Sequence, residues 1–266
     1  MQTESLPRLD TVAAAARLAC PRCHGRLEGS GDGVSCASCV CAFPRRGGVL
    51  DFAPEIVRQP GLAQRFMESD VVAWMYERAF RPAFTRLGSS IRYADEERYL
   101  TEHFRPVPGP LLDVACGTGR YTRWLARRYD TPQVVGLDLS FPMLRRALGA
   151  GSDRELFVRA SALALPFADG TFGGVNCSGA LHLFPDPERA VQEVGRVLIA
   201  GGTFAGLTAG RNVHGLRERA QDAFAKAATF RFFDPDDLRR IVEKAHMTPT
   251  DLTFHGSVLL FCARKR

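Results

Sequence analysis

The chain has 266 residues, of which 45% are hydrophobic and 24% are charged, an ordinary composition for a soluble globular protein. This length allows a full α/β domain with a small accessory module. The net charge of +6 is spread along the chain without a basic block, and no apolar stretch is long enough to span a bilayer. These features argue against a nucleic-acid-binding tail and a transmembrane segment.

The N-terminus contains an alanine-rich stretch, residues 11–19, which runs into Cys20 and superficially resembles a lipoprotein cleavage site. Acidic residues flank this stretch, Arg17 interrupts it, and no basic region precedes it. A secretory signal requires a basic region followed by an uninterrupted apolar one. We therefore expect a cytoplasmic protein.

Two Cys-x-x-Cys pairs, Cys20 with Cys23 and Cys36 with Cys39, are separated by twelve residues. Four thiolates in this arrangement suit a tetrahedral zinc ion, and the glycine-rich segment between the pairs suits a short hairpin. The alternative is a pair of disulfides, which a reducing cytoplasm disfavours. Cys41 is a fifth cysteine that such a site does not need. Four protein ligands leave no open coordination position, so we expect a structural zinc in a module covering residues 1–53.

Residues 54–61 have the composition of a linker, and residues 62–104 have apolar residues at helical spacing. Pro82 should kink or restart the helix there. The sequence thus predicts a linker and a helical segment over residues 54–105.

A strand, a glycine turn and a helix follow. The apolar run that contains Asp113 ends in a turn with Gly117 and Gly119, and residues 121–128 have one apolar helical face. Such a turn presents backbone N–H groups at a helix N-terminus, where an anionic group is stabilised. Nineteen residues after Gly119, a second apolar strand ends in Asp138, the position from which an acid binds the ribose hydroxyls of an adenosine.

These two motifs resemble those of the class I S-adenosylmethionine (SAM)-dependent methyltransferases. The resemblance implies an α/β fold, a Rossmann-like sheet with helices on both faces, over residues 106–266. It also implies that SAM is the cofactor and that helices before the first motif cover the substrate, which makes Trp74, Tyr76 and Arg81 candidate substrate contacts. The residues that it assigns to cofactor binding are Asp113, Ala115, Cys116, Gly117, Gly119, Asp138, Leu139, Ser161, Ala162 and Asn176.

The cysteine-rich segment, residues 18–52, resembles the zinc ribbon that precedes some bacterial methyltransferases, including a family of rRNA guanine methyltransferases. Two positions of the chain depart from the usual methyltransferase pattern. Ser161 and Gly173 both stand where the family usually has Asp, and the first of these normally accepts a hydrogen bond from the adenine amine. A hydroxyl can still accept that bond, although more weakly than a carboxylate.

The rest of the chain continues the alternation of strands and helices. We predict further strands over residues 156–162, 172–177, 203–208 and 258–263. Helices are predicted from 139 to 147, from 188 to 198, from 224 to 233 as a substrate-side lid, and from 238 to 245. Parallel strands alternating with helices bind their ligand at the carboxyl ends of the strands, where the candidate site residues fall.

The loop of residues 178–186 resembles the one that lines the methyl-transfer site of the family. Within it, His182 is the candidate catalytic residue, either as a base or as a group that orients the acceptor, since the pKa of histidine suits proton transfer near neutral pH. The alternative is that His182 is only structural.

Three functions remain open from the sequence. A SAM-dependent methyltransferase with a small-molecule acceptor is favoured, because residues 180–185 are mostly apolar and Arg22 and Arg26 in the cysteine segment are balanced by Glu28 and Asp32. An rRNA or tRNA base methyltransferase is the alternative that the zinc ribbon and the positive charge suggest. The third is a non-catalytic SAM-binding interaction protein.

Overall fold

The computed structural model describes residues 17–29, 32–53, 91–211 and 230–266. The strands are β1 (Leu27–Glu28), β2 (Gly33–Cys36), β3 (Ala42–Arg46), β4 (Val49–Asp51), β5 (Leu111–Val114), β6 (Val134–Asp138), β7 (Glu155–Arg159), β8 (Phe172–Ser178), β9 (Leu198–Ala209), β10 (Met247–His255) and β11 (Val258–Lys265). The helices are α1 (Tyr93–His103), α2 (Arg120–Arg128), α3 (Phe141–Gly149), α4 (Pro187–Val197) and α5 (Pro235–Lys244), with a 3₁₀ turn at Leu181–Leu183.

These strands form one sheet in the order β1-β2-β3-β4-β7-β6-β5-β8-β9-β11-β10. Neighbours from β4 to β9 run parallel, whereas β11 is antiparallel to both β9 and β10. The order of the strands changes direction at β5. Strands β6 and β7 lie on one side of β5, and β8 and β9 lie on its other side. This switch point is where an open α/β sheet offers its ligand crevice.

Both faces of the sheet are covered, as the strand sequences require. Leu112 of β5 packs in a cluster with residues of α4 and α5, whereas its neighbour Leu111 packs in a separate cluster with residues of α1 and α2. Successive side chains of a strand point to opposite faces, so a strand that is apolar at consecutive positions must be buried on both. The predicted Rossmann-like α/β fold with helices on both faces is confirmed.

Local sequence signals set the starts of α4 and α5. Asp186 and Asp234 accept hydrogen bonds from the backbone amides of Arg189 and Asp237, and each acid is followed by a proline at the first helical position. A carboxylate at this position satisfies an otherwise unpaired amide, and proline already has the backbone angle that the helix needs.

The N-terminal cysteine segment continues the main sheet. Strand β4 pairs with the outer side of β7, in the register Leu50 with Val158 and Asp51 with Arg159. Phe43 and Phe52 of this segment are buried in the same cluster as residues of the central strands. The segment and the α/β core therefore share one hydrophobic core.

Some predicted elements end differently in the structure. Strand β7 stops at Arg159 instead of continuing to Ala162, because the hydroxyl and carbonyl oxygens of Ser161 accept bonds from the amides of Leu163 and Ala164 and turn the chain. The helix predicted over residues 224–233 is wrong at its described end. There Phe233 pairs in extended conformation with Gly210.

Predictions for residues 54–90, including Trp74, Tyr76 and Arg81, lie outside the described residues, as does the start of the 224–233 segment. Where the chain is described, no helix is both long and apolar enough to cross a membrane.

Candidate functional site

The sheet brings the carboxyl ends of β5, β6, β7 and β8 side by side. Asp113 is in register with Gly136 on one side and with Asn176 on the other, and Asp138 is in register with Arg159. Residues that are scattered over more than sixty positions of the sequence thus meet at one edge of the sheet. This is the edge at which parallel α/β sheets bind their ligands.

Asp113 is almost completely buried and is the centre of a polar network. Its two carboxylate oxygens accept bonds from the Thr122 hydroxyl and from the Asn176 side-chain amide, each at 2.7 Å. The Asn176 side chain is itself fully buried, and its oxygen accepts a bond from Ser178 at 2.8 Å. Burial raises the pKa of Asp113 to about 6, against the opposing effect of these two donors. Both side chains are used inside the protein, where they join β5, β8 and α2.

The loop after β5 has three residues with positive φ: Ala115 at 55°, Gly117 at 56° and Gly119 at 77°. Among the residues that the structure describes, a side chain added at Gly117 would meet nothing within 4 Å, which leaves space for a ligand there. Helix α2 begins directly after Gly119 with no side-chain cap and no acidic residue in its first turn. No group of α2 therefore neutralises the positive N-terminal end of the helix. This end remains available to an anionic group of a ligand.

Asp138 fastens this loop to β6. Its carboxylate accepts bonds from the amides of Gly117 and Ser140, each at 2.8 Å, and the residue is only partly buried. Burial raises the pKa of Asp138, and the bonds from these amides oppose the increase. Each carboxylate oxygen keeps a further lone pair for a ligand hydroxyl.

Leu139 and Ala162 flank this crevice as partly buried residues, and Ser161 is buried next to Ala162. The Ser161 hydroxyl accepts the Leu163 amide at 3.2 Å, which leaves its hydrogen and a second lone pair for a ligand. Cys116 is buried, and its amide donates to the Leu137 carbonyl, so that the loop lies against β6.

The departure from the family pattern at Gly173 has a steric reason. A Cβ at this position would lie 1.9 Å from the carbonyl oxygen of Val107. The segment before β5 exchanges backbone bonds with residue 173, from the Val107 amide to its carbonyl and from its own amide to the Pro110 carbonyl. Only glycine leaves room for this approach.

His182 lies in the 3₁₀ turn after β8. The Ala209 amide donates to its Nδ1 at 3.3 Å, and the Thr208 hydroxyl lies 3.3 Å from the same atom. Because an amide can only donate, we assign Nδ1 as the acceptor and the proton of the neutral ring to Nε2. Burial lowers the pKa of His182 to about 4, so the ring is neutral near neutral pH.

One aromatic ring packs against His182, and a second ring packs against the first. The Phe230 ring centroid is 4.6 Å from that of His182 and 4.8 Å from that of Phe232. The Arg231 amide donates to the His182 carbonyl, which ties the Phe230–Phe232 segment to this turn. We call His182, Phe230 and Phe232 the aromatic cluster.

The four cysteines of the two Cys-x-x-Cys pairs form a second candidate site. Their sulfur atoms all lie within 4.8 Å of one another, with Cys20 and Cys39 at 3.5 Å and Cys23 and Cys36 at 3.4 Å. Sulfur atoms that are about 2.3 Å from one zinc ion are spaced similarly. The Ser38 amide donates to the Cys36 sulfur, whereas Cys41 lies outside the cluster and accepts from Arg22. All eight cysteines of the chain are among the described residues, and none forms a disulfide.

Sequence reasoning missed several residues that build these sites. Thr122 and Thr208 act through hydrogen bonds to Asp113 and His182 on other elements, whereas Ser178 bonds to Asn176 within its own strand. Asp51 and Arg159 form an ion pair across β4 and β7. The sequence signal for both residues is a charged side chain at the last position of a mainly apolar strand.

Comparisons with known proteins agree with this geometry. A family model described as a methyltransferase domain matches residues 112–206. An uncharacterized chloroplastic methyltransferase of Arabidopsis thaliana is 28% identical over 93% of this chain and 77% of its own length. A demethylmenaquinone methyltransferase of Thermus thermophilus is 42% identical over 36% of this chain. This chain spans only 45% of that enzyme.

Among solved structures, a SAM-dependent methyltransferase from Mesorhizobium loti superposes with a TM-score of 0.55 at 22% identity. The match covers 63% of this chain and 96% of the other. The fold is thus that of the class I methyltransferases. The matched domain and the named relatives are methyltransferases, so this chain is similar to methyltransferases in both sequence and fold.

Proposed function

We propose that SAM binds across the carboxyl ends of β5, β6 and β7. The backbone at Gly117 and Gly119 receives the amino-acid part of SAM, Asp138 accepts bonds from the ribose hydroxyls, and the adenine lies against Leu139 and Ala162 with Ser161 at its edge. The observation that carries this proposal is that no described residue fills the space at Gly117, beside a partly exposed Asp138. Ala115 and Cys116 shape the loop, while Asp113 and Asn176 support it from within.

In this site SAM supplies an activated methyl group, which is transferred by in-line displacement. The protein has to hold the acceptor atom in line with the methyl carbon and to exclude water. Residues of the 3₁₀ turn after β8 are suitably placed, because this turn follows the strand next to the glycine loop.

His182 suits the role of an orienting hydrogen-bond donor better than that of a base. Its Nδ1 already accepts the Ala209 amide, and its remaining nitrogen carries the proton in the neutral ring. A ring in this state donates to an acceptor oxygen, such as a carbonyl or hydroxyl, and positions the molecule that carries it.

The acceptor that fits this site is an apolar small molecule with an oxygen function. The aromatic cluster supplies the apolar contacts and the His182 Nε2–H supplies a single polar one, the usual balance in small-molecule sites. The relationship to a demethylmenaquinone methyltransferase supports this class, since the named substrate of that enzyme is a lipophilic quinone.

RNA is the alternative acceptor, supported by the net charge of +6 and by the zinc-ribbon-like segment. One experiment separates the two classes. The protein is incubated with methyl-labelled SAM and either a lipid-soluble extract or bulk RNA, both from cells that lack the gene. Label in the lipid-soluble fraction supports the proposal, whereas label in RNA at a salt-dependent rate would overturn it.

We also propose that Cys20, Cys23, Cys36 and Cys39 hold a structural zinc ion. Four thiolates are a closed donor set that zinc favours, and the sulfur spacing already suits a tetrahedron. A cytoplasmic location remains an expectation from the N-terminal sequence.

A further inference from the structure

A buried ion pair joins the cysteine module to the cofactor edge of the sheet. Asp51 closes β4 and is fully buried, and Arg159 closes β7 directly beside it. The Arg159 Nη1 lies 3.2 Å from Oδ1 and 3.3 Å from Oδ2 of Asp51. The Arg159 side chain is only 13% exposed. Such a pair is costly to bury, and removing one partner leaves the other charge uncompensated.

The same guanidinium also reaches the segment that follows β6. Its Nε donates to the Leu139 carbonyl at 2.8 Å, and its centre lies 5.0 Å from the Phe141 ring. Leu139 directly follows Asp138, whose carbonyl accepts the Ala160 amide next to Arg159. Arg159 therefore bonds to the module on one side and to the proposed ribose-binding segment on the other.

Asp51 is held in place from its own side. The Ala53 amide donates to its Oδ1 at 3.0 Å, and Arg46 lies 3.7 Å from its Oδ2. Without Asp51, Arg159 would lack a counter-charge, while the carboxylate of Asp138 lies in register with it on the adjacent strand. The Arg159 guanidinium would then be attracted to Asp138, the proposed acceptor of the ribose hydroxyls.

We propose that Asp51 and Arg159 are positioning residues for the cofactor. Asp51 holds the guanidinium on the module side, and Arg159 thereby fixes the Leu139 carbonyl and leaves Asp138 available to the ribose. This inference rests on the proposed binding of SAM at this edge.

Calorimetric titration of the full chain with S-adenosylhomocysteine tests the proposal. Asp51→Asn removes the negative charge that faces Arg159. Arg159→Lys keeps a positive charge but loses the Nε–H that donates to the Leu139 carbonyl. We expect each to weaken binding about tenfold, within the usual range of coupling between sites. Because Asp51 acts on the cofactor site through Arg159, the double variant should bind S-adenosylhomocysteine about as weakly as each single variant. Additive losses would contradict the proposal.

A matched control separates positioning from general destabilisation. Asp251→Asn removes a carboxylate that accepts the Tyr99 hydroxyl at 2.8 Å, on β10 at the opposite edge of the sheet. It should leave the affinity unchanged. Hydrogen exchange of the Ser140 amide, which donates to Asp138, should become faster in Asp51→Asn and not in Asp251→Asn.

The native chain gives a measurement that does not depend on the folding of any variant. Coupling between two sites is reciprocal, so S-adenosylhomocysteine should slow exchange of the Ala53 amide, which donates to Asp51. Unchanged exchange there, or variants that bind with native affinity, would overturn the inference. A native chain that does not bind S-adenosylhomocysteine at all would instead overturn the proposed function.

Discussion

Asp113 and Asp138 end neighbouring parallel strands, but their carboxylates have different partners. Asp113 is enclosed by Thr122 and Asn176, whereas Asp138 accepts two backbone amides and remains partly exposed. A carboxylate without remaining access can only support its neighbours. The two acids therefore differ in role: Asp113 stabilises the loop, and Asp138 is the one available to the proposed cofactor.

This division predicts the effect of replacing Asp138. Asp138→Ala removes the proposed ribose acceptor and should weaken SAM binding by about 1–3 kcal/mol, the range for hydrogen bonds to a charged group. Asp153→Ala, an exposed acid in the loop before β7, is the control and should bind normally. Calorimetry measures both, and unchanged affinity of Asp138→Ala would remove Asp138 from the site.

The lowered pKa of His182 predicts how the free energy of unfolding depends on pH. Its pKa is about 4 in the folded protein and 6.5 in the unfolded chain. Above pH 6.5 the ring is neutral in both the folded and the unfolded state. Between pH 6.5 and pH 4 the ring is protonated in the unfolded chain but still neutral in the folded protein. The free energy of unfolding should therefore fall as the pH is lowered through this window.

Denaturant unfolding at several pH values, on the native chain and on His182→Ala, checks this. The variant should lose the part of the pH dependence that lies in this window. A variant with the same pH dependence as the native chain would show that the pKa of His182 is not lowered in the folded protein.

The role of His182 in turnover can be tested once an acceptor is known. As a neutral donor with a low pKa, the ring should add no inflection to the rate near neutral pH, and His182→Ala should reduce the rate without changing the shape of the profile. An inflection near neutral pH that disappears in His182→Ala would instead assign it as the base. Full turnover of the variant would make the residue structural.

At the scale of elements, close backbone approach constrains the start of β8. Gly173→Ala would place a methyl group 1.9 Å from the Val107 carbonyl oxygen. Two backbones would have to separate, which should cost about 1–3 kcal/mol of unfolding free energy. Gly149→Ala is the matched control, because a Cβ there meets nothing within 4 Å. Thermal or denaturant unfolding distinguishes them, and equal stability would contradict this account of Gly173.

The alternation of elements was predictable because each strand and helix carries its own periodicity. Strands β5 and β6 are apolar at nearly every position, and the acids that start α4 and α5 mark these helices clearly. The positions of Asp113 and Asp138 followed from the same pattern. Local sequence therefore sufficed for the central strands and for the glycine turn, but not for the extension of the sheet by β1–β4.

What could not be predicted depends on contacts between distant segments. Asp51 and Arg159 are 108 residues apart, and nothing near either of them specifies the other. The end of β7 depends on the turn that Ser161 makes with its own neighbours. The helix predicted to end at residue 233 does not form there, because Phe233 is extended by pairing with the distant Gly210.

At the scale of the whole molecule, the cysteine module and the α/β core form one unit. Cys20 and Cys36 are buried in the cluster that also contains the central strands, so the proposed zinc ion and the core should stabilise each other. Disruption of the proposed site is therefore expected to lower the stability of the whole chain.

Elemental analysis should find about one zinc per chain, as a four-thiolate site requires. Cys36→Ala should lose the metal and lower the melting temperature, while Cys41→Ala should retain both, because Cys41 lies outside the sulfur cluster. Retention of zinc by Cys36→Ala, or metal-free native protein with this segment intact, would rule out the site.

The position of β4 has a further consequence, for solubility. Without β4, strand β7 would present unpaired backbone groups along its outer side, and such an edge can recruit strands from other copies of the chain. With the module in place, that end of the sheet is β1, which has only two residues. The other end is β10, where Pro249 and an irregular register interrupt the edge. If the proposed zinc ion holds the module in place, cells that run short of zinc should therefore accumulate this protein in aggregates.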